Sequence, residues 1–102
     1  MSNEELNTAL YKKMFAEQEK YKEWLLTQTP EAILMHSYEY TAREDILLSL
    51  EYNDLSDEQA TALLASDNPL NEAYVAFQQR NGDSSMEEVF SCLESAAESL
   101  VR

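Results

Sequence analysis

Residues 37–60, SYEYTAREDILLSLEYNDLSDEQA, decide how the chain is read. Seven carboxylates, Glu39, Glu44, Asp45, Glu51, Asp54, Asp57 and Glu58, stand against Arg43 alone, with no lysine. Between them run Ile46, Leu47, Leu48 and Leu50, which at about 100° per residue surround a helix almost completely. A segment apolar nearly all round belongs at the centre of its fold, so a central helix is predicted over residues 42–52. "TARE" predicts its start as a capping box, the Thr41 hydroxyl taking the amide of Glu44 and Glu44 reaching back. Thr29 and Pro30, as cap and first helical position, open a helix over residues 30–40. These two segments read equally as one helix bent at Thr41. "SDEQ", with Ser56 and Gln59, is a second box and predicts a short helix to about residue 65.

Outward from this stretch the punctuation stays helical. A first helix is predicted over residues 3–28, capped by Ser2 or Asn3. Leu6, Leu10, Met14, Tyr21, Trp24 and Leu25 fall on one broad stripe, widened by Tyr11, Phe15 and Leu26. Asn68 and Pro69 open a fifth helix ending at Asn81 and Gly82, and Ser85 with Glu88 begins a sixth. In that last helix Met86, Phe90, Leu93, Ala97 and Leu100 form a seam, suited to the domain's own core or to pairing with another helix. One glycine and two prolines leave little turn chemistry for a sheet. The expected fold is all-α: a compact single-domain bundle of five or six short helices with a longer N-terminal one, spanning residues 1–102.

The bulk composition narrows the function. At 44% hydrophobic the chain fills a modest core despite its charge. The lone cysteine, Cys92, excludes an internal disulfide, and no apolar run approaches a membrane span or signal segment. A cytoplasmic protein, monomeric or weakly dimeric, is expected. The net charge of −13 repels nucleic acid and anionic membranes and favours basic partners. Residues 1–40 carry seven glutamates against four lysines, whereas residues 41–102 carry thirteen acids against Arg43, Arg80 and Arg102.

Catalytic chemistry finds few candidates. There is one histidine, His36, and no glycine-rich loop, zinc signature or calcium-loop spacing. No glutamate lies three residues before His36, as a di-iron bundle would want. Glu17, set against the apolar stripe, reads as a rim residue or one hydrogen-bonded to a tyrosine or to His36. The chain is therefore expected to be non-enzymatic, with no cofactor and no metal. Tyr38, Tyr40 and Tyr52 flank the acidic stretch and suit either the core or an interface, Tyr38 being the one expected outside.

Acids every three or four residues on one helix stand about 5–6 Å apart, whereas duplex DNA carries a charge per ~1.7 Å. A mimic of nucleic acid needs acidic rows that converge from two helices. Glu44, Asp45, Glu51, Asp54, Asp57 and Glu58, on helices joined by a short loop, are the candidate binding acids, with Tyr38 beside them. Glu87, Glu94 and Glu98 make a second row.

"EELNTALYKKMFAEQEKYKEWLLTQ", "YEYTAREDILLSLEYNDLS" and "ALL" before a proline-marked turn resemble a family of small acidic domains of unknown function. That family occurs in gut Firmicutes, often on conjugative or phage-derived elements. The resemblance covers about residues 4–75, and the segment from residue 67 onward looks divergent. It implies no catalytic residues. Its setting implies an inhibitor of host defence, anti-restriction or anti-CRISPR, whose acidic surface blocks the basic nucleic-acid site of a nuclease. The alternative is a small interaction or accessory module binding through an apolar and tyrosine patch.

Overall fold

A computed structural model describes residues 1–79 and 85–101, and in them five helices and no strand. These are α1 (Asn3–Leu26), α2 (Pro30–Tyr52), α3 (Asp57–Leu64), α4 (Pro69–Gln79) and α5 (Met86–Val101). The all-α bundle with a long first helix is as the sequence indicates. Ser2 and Ser56 each close a complete capping box, with Glu5 and Gln59. Thr29 caps α2 ahead of Pro30, and the Ser85 hydroxyl accepts from the amide of Glu88. The expected stop at Asn81 and Gly82 lies outside the described residues.

The capping box at Thr41 does not form. The helix runs unbroken through it, and the Thr41 hydroxyl donates to the Ser37 carbonyl one turn back, at 3.0 Å. Nothing between residues 31 and 52 breaks a helix, since no glycine or proline occurs there. Tertiary burial then decides: Ala42, Arg43, Ile46, Leu47, Ser49 and Leu50 form one continuous covered face. Two predicted helices are one, 23 residues long.

Leu10 and Met14 of α1, Ile46 and Leu50 of α2, Leu63, Leu70, Phe77 and Leu93 meet in a single core. Of the expected α5 seam, Leu93 and Ala97 are buried in it together with Val89, Cys92 and Ala96, Met86 and Phe90 are half-buried, and Leu100 is exposed. The α5 seam is therefore used within the chain.

Polar side chains of α1 hold the connections together. The Asn7 amide accepts from the Leu55 N–H at 2.9 Å and donates to the Leu55 carbonyl at 3.0 Å, satisfying both backbone groups of a buried residue. Asn3 donates to the same carbonyl and to Asp57. Lys13 donates to the carbonyls of Leu64 and Ser66, where the end of α3 leaves unpaired acceptors. Glu17 accepts from the amides of Leu70 at 2.8 Å and Asn71 at 2.9 Å, capping α4 from another helix. Glu17 thus belongs to neither tyrosine nor histidine. Read in order, these contacts lay α3 alongside α1 in the same sense.

Candidate acidic face along the first helix pair

Five acids line the α1–α2 seam. Glu44 and Glu51 lie seven residues apart, two turns less about 20°, on the edge of α2 that faces α1. Gln18 of α1 fixes Glu44 there, its amide nitrogen donating to the carboxylate at 3.0 Å and to the Tyr40 carbonyl at 3.2 Å. Glu51 and Asp54 line a cleft of about 330 Å³ with Glu4, Asn7, Thr8, Tyr11, Lys12 and Leu50. Aromatic rings stand between the carboxylates. Tyr11 stacks on Phe15 with centroids 6.3 Å apart. Burial, then the charges of Glu51 and Glu44, raise the Tyr11 pKa. Burial and Glu44 likewise raise Tyr40, with Glu19 beyond it. Glu19, Glu44, Glu51, Asp54 and Glu4 therefore follow one another along the seam, with Tyr40, Phe15 and Tyr11 among them and Lys12 within the same cleft.

The remaining candidates sit elsewhere. Asp57 accepts from the Asn3 amide at 2.8 Å at the start of α3, and Glu58 is exposed in the same first turn. The helix dipole favours both there. Asp45 lies about 100° round α2 from Glu44 and is half-buried. Burial first, then Glu44, hold its pKa above the usual carboxylate value. Tyr38 is exposed on the first half of α2, Tyr52 more so at its end, and Tyr40 is half-buried. In the second acidic row, Glu98 accepts from Gln59, and Glu94 shares a surface cleft with it. Glu4, Tyr11 and Phe15 were not among the expected site residues. Their spacing of seven and four residues puts them on one face of α1, but only the position of α2 makes that face part of the site.

Arg43 explains why the YEYTARED segment is built as it is. It is buried, donating to Glu39 at 3.0 and 2.9 Å and to the Asn71 side chain at 2.8 Å, with Glu17 at 3.7 Å. The guanidinium lies 4.6 Å from the Tyr21 ring centroid and 5.3 Å from that of Tyr74. Burial, followed by the charge of Glu39, pushes Tyr21 up to about 12. This cluster ties α1, α2 and α4 together, so Glu39 serves the interior rather than the acidic surface. His36 stacks edge-on against Trp24 at 5.3 Å, while Cys92 is buried in α5. Among the described residues no group of three His, Cys, Asp or Glu is placed to hold a metal, and no helix is long and apolar enough to cross a membrane.

Fold and surface together define an acidic, all-α helical domain with five of its carboxylates strung along the seam of the first helix pair. The chain belongs to a family of proteins of unknown function, DUF3848, whose model matches residues 6–101. The match runs through α4 and α5, so the segment that looked divergent belongs to the family too. No curated protein and no solved structure matches the chain.

Proposed function

We propose that this protein acts without catalysis, by seating the acidic α1–α2 seam in the basic nucleic-acid-binding site of another protein. The observation that carries the reading is the alternation of Glu19, Glu44, Glu51, Asp54 and Glu4 with Tyr40, Phe15 and Tyr11. From Glu19 to Glu4 is about 22 Å along α1, so the five carboxylates stand ~5–6 Å apart. That is too sparse for a duplex, at one charge per ~1.7 Å, and nearer the ~3.4 Å of a single strand. Grooves that bind single strands combine cations with aromatic platforms on which bases stack. Carboxylates interleaved with rings complement such a groove on both counts. The partner proposed is a cytoplasmic defence nuclease of restriction or CRISPR type, and the proposal includes carriage of the family on mobile elements of gut bacteria.

Binding of purified nucleases at low and high salt tests this. Electrostatic recognition weakens by about tenfold or more between ~0.05 and ~0.3 M salt. Charge reversal at Glu51 and Asp54 is expected to abolish it. Binding indifferent to both would leave the second reading, an accessory module using an apolar and tyrosine patch. That reading draws on the exposure of Leu34, Met35 and Tyr38.

A further inference from the structure

The end of the α1–α2 hairpin is apolar and uncovered. α1 and α2 are each about 35 Å long, whereas α3 and α4 have 8 and 11 residues, and the molecule extends 43 Å along one axis against 25 Å across. Where α2 passes the other helices, its inner face buries Ala42, Ile46 and Ser49. One to three turns earlier none of the described residues covers it. Leu34 is 74% exposed, Met35 81%, Tyr38 62%, Leu26 67% and Trp24 45%. The backbone beneath them is fully tied. Thr27 and Gln28 donate to the carbonyls of Trp24 and Leu25, and Thr29 caps α2. These side chains are therefore presented on a fixed frame.

We infer that this hairpin end is a self-association surface, taking the same end of a second copy in a two-fold pairing. Two observations select that occupant. The first is charge. Residues 19–38 carry Glu19, Glu23 and Glu31 against Lys20 and Lys22, so they hold one unit of the −13. Residues 39–102 carry fourteen acids against three arginines and repel their like; here both signs are present, and Lys20 and Lys22 can face Glu23 and Glu31 of the second copy, as an isologous contact requires. End-to-end pairing also keeps the acidic bodies farther apart than the ~8 Å screening length at physiological salt. The second is area. Summed, the five side chains expose roughly 600 Å², at the top of the ~300–600 Å² of a monomer's largest apolar patch and approaching the ~800 Å² per partner of a standard interface. The acidic seam stays open in such a dimer, so the inference does not depend on what the seam binds.

Sedimentation velocity of the full chain tests it, from about 10 µM to 1 mM, the range for an interface of small standard size. A dimer is expected, its fraction unchanged or increased by salt, in contrast to any binding through the seam. Leu34→Glu with Met35→Glu is expected to weaken it at least tenfold, and the milder Leu34→Ser with Met35→Ser severalfold. Helicity checks that each variant folds. Glu51→Lys with Asp54→Lys should leave the dimer intact. A monomer throughout the range, or a dimer indifferent to both hairpin variants, overturns the inference.

Discussion

Arg43 shows how a residue's role can be hidden in plain sequence. Among seven acids it reads as a lone counter-charge, but the structure buries it between two tyrosine rings with Glu39, Glu17 and Asn71 around it. No spacing rule joins residues 17, 43 and 71, so that convergence is illegible without the fold. Removing one partner of a buried pair strands the other, and Arg43→Ala is expected to cost about 3–5 kcal/mol in urea unfolding. Arg43→Lys, which keeps the charge but loses the planar fork, should cost less. Asp45 gives a prediction with a sign in pH. Its folded-state pKa is raised, by burial and then by Glu44, so its ionised form detracts from stability at neutral pH. The protonated form's advantage is fully present below the ordinary value of 3.8 and is lost as pH rises through the raised one. Asp45→Asn should therefore melt higher than the wild type at neutral pH, with the difference shrinking as pH falls. A variant that melts lower at pH 7 would show that Asp45 holds a favourable contact instead.

At the scale of elements, local signals were reliable where they had no competitor. The capping box at Ser56–Gln59 and the Thr29 cap ahead of Pro30 mark true starts because non-helical residues precede them. "TARE" has the same letters inside a segment with no breaker, and there packing along α2 outweighs the cap. Thr41→Ala decides the matter by sign. A threonine within an exposed helix turn is a weak helix former, so alanine is expected to stabilise by about 0.5 kcal/mol. At a true cap the same change would cost about 1 kcal/mol. Thermal unfolding of the two proteins separates these outcomes. The α1 stripe was legible at Leu10, Met14 and Leu25, which are buried. Trp24 and Leu26 stay partly outside because periodicity says which residues share a face, and not how far the neighbouring helices reach.

For the molecule as a whole, the sequence shows how much charge there is and the fold shows where it goes. Glu39, Glu17 and Asp57 are drawn into interior or connecting hydrogen bonds, which leaves fewer acids free for a partner than the count suggests. Of those that remain, five line the α1–α2 seam. The seam takes Glu4, Glu19, Glu44, Glu51 and Asp54, and the hairpin end is nearly neutral. Asp45 and Tyr38 could not be separated from the seam by sequence position, since one residue along a helix turns about 100°. The central claim is that the seam stands in for a single strand, and competition measures it most directly. Binding of a restriction or CRISPR nuclease to labelled single-stranded nucleic acid, and separately to duplex, would be titrated with the wild type and with the Glu44→Lys, Glu51→Lys, Asp54→Lys variant. The account predicts that the wild type displaces the single strand at lower concentration than the duplex, less effectively as salt rises, and that the variant displaces neither. Across a panel of such nucleases, no displacement by the wild type, or equal displacement by the variant, would contradict it.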